Sequence, residues 1–152
     1  PIWDEKAKGV LYGLDYSKNR MHLIRAGMEG VAFSLRHNIE VAEGIGVCVN
    51  ELRAIGGAAN SRLWMQIKAD MTNKKTSIPS NGEATTLGAA ILAGVGTGLY
   101  DSFEDAVAQS VEVTSEFVPD STKAHIYERN YRIYRVLYEQ LKDTMHQQEA
   151  SQ

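Results

Sequence analysis

The sequence predicts an α/β domain, and three features carry that prediction. From Leu52 to Asp70 a short apolar run (Leu52, Ala54, Ile55) breaks at Gly56-Gly57, crosses a polar hinge at Asn60-Ser61, and resumes with helical spacing at Leu63, Trp64, Ile67 and Met71. That order is strand, glycine turn, helix. Thr76–Ile78 followed by Leu87, Ala90, Ile91 and Ala93 gives a second strand and helix. Long amphipathic patterns before and after these two units supply flanking helices.

The balance of residues narrows the class of protein. At 152 residues the chain suits one domain with a real core. A net charge of -3 provides no basic field, which argues against nucleic acid as a partner. Cys48 is the single cysteine and the four His are scattered, so an internal disulfide is excluded and zinc spacing is lacking; a reducing, cytoplasmic setting is expected. No stretch resembles a signal peptide, and the longest strongly apolar one, Leu87 to Val95, is too short to cross a bilayer, so a membrane is not expected as a partner. The chain opens at Pro1, without a methionine, on a polar stretch, and a cut piece of something longer is expected.

Lys8 to Tyr16 is β-rich, with glycines at Gly9 and Gly13, and reads as a strand. From Arg20 the period changes: Ile24, Met28, Val31, Leu35, Ile39 and Ala42 share one helical face, with Arg25, Glu29, Arg36, Glu40 and Glu43 on others, until Gly44–Gly46 ends the helix. Gly30 inside it costs about 1 kcal/mol relative to Ala, which suggests close packing against another element, with crowding by a ligand as the alternative. Ser80-Asn-Gly-Glu83 has the form of a capping box, and the helix after it is so uniformly small or apolar that it should be buried on most sides. Gly94-Val-Gly-Thr-Gly98 imitates a dinucleotide fingerprint, but it closes a helix instead of opening one and reads as a helix exit. Asp101-Ser102 caps a short helix from Phe103 to Gln109, and Val111, Val113 and Phe117 alternate in an irregular extended segment. A last helix runs from about Thr122 to Met145, its stripe of Tyr127, Tyr131, Tyr134, Tyr138 and Leu141 facing the domain. Gln147 to Gln152 is expected to fray.

The glycine pair is the candidate site. Two consecutive glycines permit positive φ and clear side chains from the main chain, so a flat ligand can approach it. The helix that follows offers unpaired N–H groups and a partial positive charge, which suits a phosphate. A nucleotide fits both. A plain tight βα turn would carry the same residues.

Several stretches together resemble the C-terminal domain of the FGGY family of carbohydrate kinases, most closely its xylulokinase-like branch. They are Pro1-Ile-Trp-Asp4, Lys8-Gly-Val-Leu-Tyr-Gly-Leu14, His22-Leu-Ile-Arg-Ala26, Glu29-Gly-Val-Ala-Phe-Ser-Leu-Arg36, Ile55-Gly-Gly-Ala58, Ser61-Arg-Leu-Trp-Met-Gln66, Ala69-Asp70 and Glu83-Ala-Thr-Thr-Leu-Gly-Ala-Ala90, in the family's order. The resemblance implies a ribonuclease-H-like (actin-like ATPase) domain with a central mixed sheet flanked by helices. It makes residues 1–146 the C-terminal nucleotide-binding domain of a two-domain sugar kinase, with 147–152 as tail. By similarity Gly56, Gly57 and Ala58 lie against ATP or ADP, Ser61 hydrogen-bonds the nucleotide near the adenine or α-phosphate, and Asn60 is a neighbour. The sugar, a pentulose such as xylulose, is bound by a missing N-terminal domain that carries the catalytic base. This stretch therefore contributes no catalytic residue and no metal ligand of its own, and alone it should be inactive.

Two departures from the family's pattern stand out. Ala58 replaces a glycine common in the xylulokinase-like branch. Asp15 stands where many members have a threonine that meets the terminal phosphates; a carboxylate repels phosphate unless Mg²⁺ lies between them. Three readings remain open: Asp15 on the metal side, Ser17 in the hydroxyl role, or a surface turn without ligand contact. Asp15 is also the best support for a different class of function, a non-catalytic actin-like lobe or a pseudokinase kept for assembly, with a homodimer as its partner.

Overall fold

The computed structural model describes residues 2–80 and 82–149, the side chains of 148 and 149 excepted. Its elements are α1 (Arg20–Gly44), β1 (Glu51–Arg53), a 3-10 turn (Gly57–Asn60), α2 (Arg62–Thr72), β2 (Lys75–Pro79), α3 (Ala84–Gly96), α4 (Phe103–Ser110), β3 (Val113–Phe117), a second 3-10 turn (Ser121–Lys123) and α5 (Ala124–Glu149). Residue contacts group them into two compact units. The first holds residues 1–49, 70–73 and 120–152; the second holds 50–69 and 74–119. No helix among the described residues is long and apolar enough to cross a membrane.

In the second unit β1 runs parallel to β2, pairing Leu52 with Thr76, and β3 runs antiparallel to β2, pairing Thr76 with Phe117. A parallel pair needs a crossover of a dozen or more residues, and the glycine turn with α2 supplies it. This mixed sheet, in the order β1-β2-β3, supports the buried cluster Ala59, Met65, Ala69 and Phe117, with Ala54, Trp64 and Ile78 packed around it. The face of α2 differs from the expected one in one respect: Ile67 is buried, but Leu63 is exposed and Met65, outside the expected spacing, is fully buried.

Two expectations for α3 fail. Ser80 does not cap it: the Ser80 amide donates to the Glu112 carbonyl (2.8 Å) and stays with the sheet, and Glu83 precedes the helix without a side-chain cap. Asn81, inside the expected box, lies outside the described residues. Nor is α3 buried on most sides; Ile91 and Gly94 are its buried residues, and Leu92 is 63% exposed. The helix exit is as expected, with Gly98 at φ +75° and the Leu99 amide donating to the Gly94 carbonyl (2.8 Å). Gly94 has a packing reason, since a Cβ there would lie 2.6 Å from the Tyr100 ring. Ser102 caps α4, accepting from the Asp105 amide.

In the first unit α1 packs on α5, and the aliphatic stripe accounts for this only in part: Ile39 is buried and Met28 and Leu35 half-buried. Ile24 and Val31 are exposed, while Ala32, Phe33 and His37 are buried. The face that meets α5 carries the charges expected to point away. Arg25 donates to the Tyr127 hydroxyl (3.0 Å), Arg36 to Glu128 (2.6 Å), and the Tyr131 hydroxyl to Glu40 (2.6 Å). Arg36 also lies 4.0 Å over the Tyr131 ring, and Phe33 stacks on Tyr134 with centroids 5.3 Å apart. Burial works against the Arg36 charge, yet its hydrogen bonds to Glu128 and Glu40 outweigh it and raise the pKa. The aromatic stripe of α5 thus faces inward as expected, with Tyr127 and Tyr131 both 4% exposed.

Three further corrections concern this unit. Lys8–Tyr16 forms no strand; it is irregular, bending at Gly13 (φ +76°) and turning at Tyr16, and Leu11, Tyr12 and Leu14 are exposed. Gly30 has no close neighbour to explain it, as a Cβ there would meet nothing within 4 Å. Finally, α5 continues to Glu149, so residues 147–149 are helical, and 150–152 of the expected tail lie outside the described residues.

Candidate functional site

The sequence between β1 and α2 folds as a wound turn because each residue has a local reason to leave the strand. The Ala54 amide makes a further ladder bond to the Ser77 carbonyl (2.8 Å). Gly56 then takes φ +79° and ψ −178°, a region open essentially to glycine alone. Its carbonyl accepts from the Ala59 amide (3.0 Å), closing the 3-10 turn Gly57–Asn60, and Ala59 turns inward while Gly56, Gly57 and Asn60 face solvent. Ser61 ends the turn in an extended conformation and starts α2, its hydroxyl oxygen accepting from the Trp64 amide (3.3 Å) and its carbonyl from the Met65 amide.

This arrangement suits an anion. Gly57 has neither a positive φ nor a neighbour that its hydrogen excuses, since a Cβ there would meet nothing within 4 Å. The fold does not demand glycine at that position, and the space beside it is open. The first amides of the 3-10 turn and of α2 have no partner within their own helices. Ser61 still has its hydroxyl proton to donate after accepting from Trp64. No acidic residue occurs from Ala54 to Ala69, whereas Arg62 opens α2. A cation in that first turn is disfavoured by the helix dipole by about 0.3–1 kcal/mol.

Gly56, Gly57, Ala58, Asn60 and Ser61 are thus brought together in one turn of the second unit. Asp15 and Ser17 form a separate turn in the first. There the Asp15 carboxylate accepts from the Ser17 amide (2.8 Å), the Ser17 hydroxyl (2.6 Å) and Lys18 Nζ (3.2 Å). The Ser17 bonds, with Lys18, hold the Asp15 carboxyl at a pKa of about 2, so it is charged across the physiological range. Among the described residues no group of three His, Cys, Asp or Glu side chains is placed to hold a metal. One contact near the glycine turn was not legible in the sequence: the Arg62 guanidinium lies 5.4 Å from the ring of Phe117, a residue far along the chain that no local pattern links to it.

Residues 1–97 match the family described as "FGGY family of carbohydrate kinases, C-terminal domain". The chain belongs to that family. A xylulose kinase of Bacillus subtilis (strain 168) is 34% identical over 143 residues, which is 94% of this chain and 29% of that relative. Among solved structures, xylulose kinase from Rhodospirillum rubrum superposes with a TM-score of 0.84 at 35% identity, covering 92% of this chain and 28% of that one. Plasmodium falciparum glycerol kinase, solved with ADP, superposes with a TM-score of 0.77 at 27% identity over 91% of this chain and 28% of the other. This FGGY chain therefore spans 24–29% of the length of these curated relatives.

Proposed function

We propose that this FGGY domain is the nucleotide-binding half of a carbohydrate kinase that moves the γ-phosphoryl group of ATP to a sugar hydroxyl. The observation that carries the reading is the turn Gly56–Ser61, an open, acid-free corner of main chain in a chain of this family. Gly57 and Ala58 lie against the phosphates, and Ser61 donates to the nucleotide. ADP in the glycerol kinase relative supports a nucleotide here, and the xylulose kinase relatives favour a pentulose as acceptor. The fold is ribonuclease-H-like. Mg²⁺ travels with the nucleotide and neutralises the charge that develops on the phosphates.

Phosphoryl transfer is mostly positioning and electrostatics, so two halves that each hold one substrate and close on each other suit it. The sugar pocket and the base belong to the other half. Titration calorimetry with ADP tests the site. Gly57→Val fills the open space and should abolish binding, with circular dichroism showing the fold intact; equal binding by the variant defeats the assignment. The chain alone should phosphorylate neither xylulose nor glycerol, and turnover by it would defeat the division between halves.

A further inference from the structure

We propose that Arg62 is a phosphate-binding residue of the nucleotide site, its guanidinium contacting the charged oxygens of a nucleoside diphosphate. The inference rests on the nucleotide reading of the Gly56–Ser61 turn and adds a residue to it. Among the other cations of the second unit, Arg53 pairs with Glu51, and Lys75 with Glu51 and Glu116. Arg62 has no carboxylate partner among the described residues; its contact is the face of Phe117.

That contact gives the exposed side chain a fixed place. Phe117 is 5% exposed and belongs to the same buried cluster as Ala59, the inward residue of the glycine turn. Stacking occupies a face of the guanidinium and leaves its N–H edge free, and that edge is the part that meets phosphate oxygens. A cation placed against the helix dipole, one residue after Ser61 and beside a stretch with no acid, finds its compensation in an anionic ligand.

Calorimetry of the chain with ADP and with adenosine decides, using the parent, Arg62→Gln, Arg62→Lys and Gly57→Val. Losing a charge-assisted contact should weaken ADP binding by about tenfold in Arg62→Gln while adenosine changes by less than about twofold. Arg62→Lys keeps the charge and should retain ADP binding within about threefold, and raising the salt should weaken the parent more than Arg62→Gln. Unchanged ADP affinity in Arg62→Gln, or an equal loss for ADP and adenosine, overturns the proposal while the site itself stands. Absence of ADP binding by the parent, or normal binding by Gly57→Val, overturns the nucleotide reading and this inference with it.

Discussion

Gly56 holds φ +79° with ψ −178°, a conformation that costs other residues about 1–3 kcal/mol, whereas Gly57 lies in the 3-10 turn without a positive φ. The two neighbours therefore do different jobs: Gly56 shapes the turn and Gly57 leaves room above it. Gly56→Ala should lower stability in denaturant unfolding by about 1–3 kcal/mol. Gly57→Ala, with open space around its new methyl, should change stability by less than about 0.5 kcal/mol. Equal effects would mean that both positions are structural. Sequence alone could mark the pair as special but not divide the roles, because φ is settled by the path from β1 to α2 and not by residue type.

Among the elements, helix positions are legible in the sequence and helix faces less so. The bounds of α1, the exit of α3 and the cap of α4 follow from local residues, namely the periodicity of α1, Gly98 in the αL region and Ser102 at an N-cap. The buried face of α1 follows only in part: Ile39 is buried as its spacing requires, but counting aliphatic side chains overlooks Arg36 and Glu40 when a tyrosine-rich helix offers them rings and hydroxyls. The capping box at Ser80 failed for a similar reason, since a ladder bond to Glu112 outcompeted a local cap. Gly30, with no close neighbour at its Cβ position, is the element's clearest weakness. Gly30→Ala should stabilise the chain by about 0.5–1 kcal/mol in thermal or denaturant unfolding. A loss of stability instead would show that something packs there after all.

At the scale of the molecule, the family is secured by residues 1–97, and the ordered motifs that signalled it are spread along most of that length. Lys8–Tyr16 and α3 are where pattern and structure part most. Both are rich in apolar residues and both leave many of them exposed, as at Leu11, Tyr12 and Leu92. The glycine turn between β1 and α2, by contrast, is closed by its own hydrogen bonds and follows from local residues. A crystal structure with ADP and Mg²⁺ tests that turn most directly. The diphosphate should lie with an oxygen about 2.7–3.2 Å from the amides of Gly57 or Ala58 and the nucleoside beside Ser61; a turn filled by protein side chains, with the purine bound elsewhere, would contradict the account.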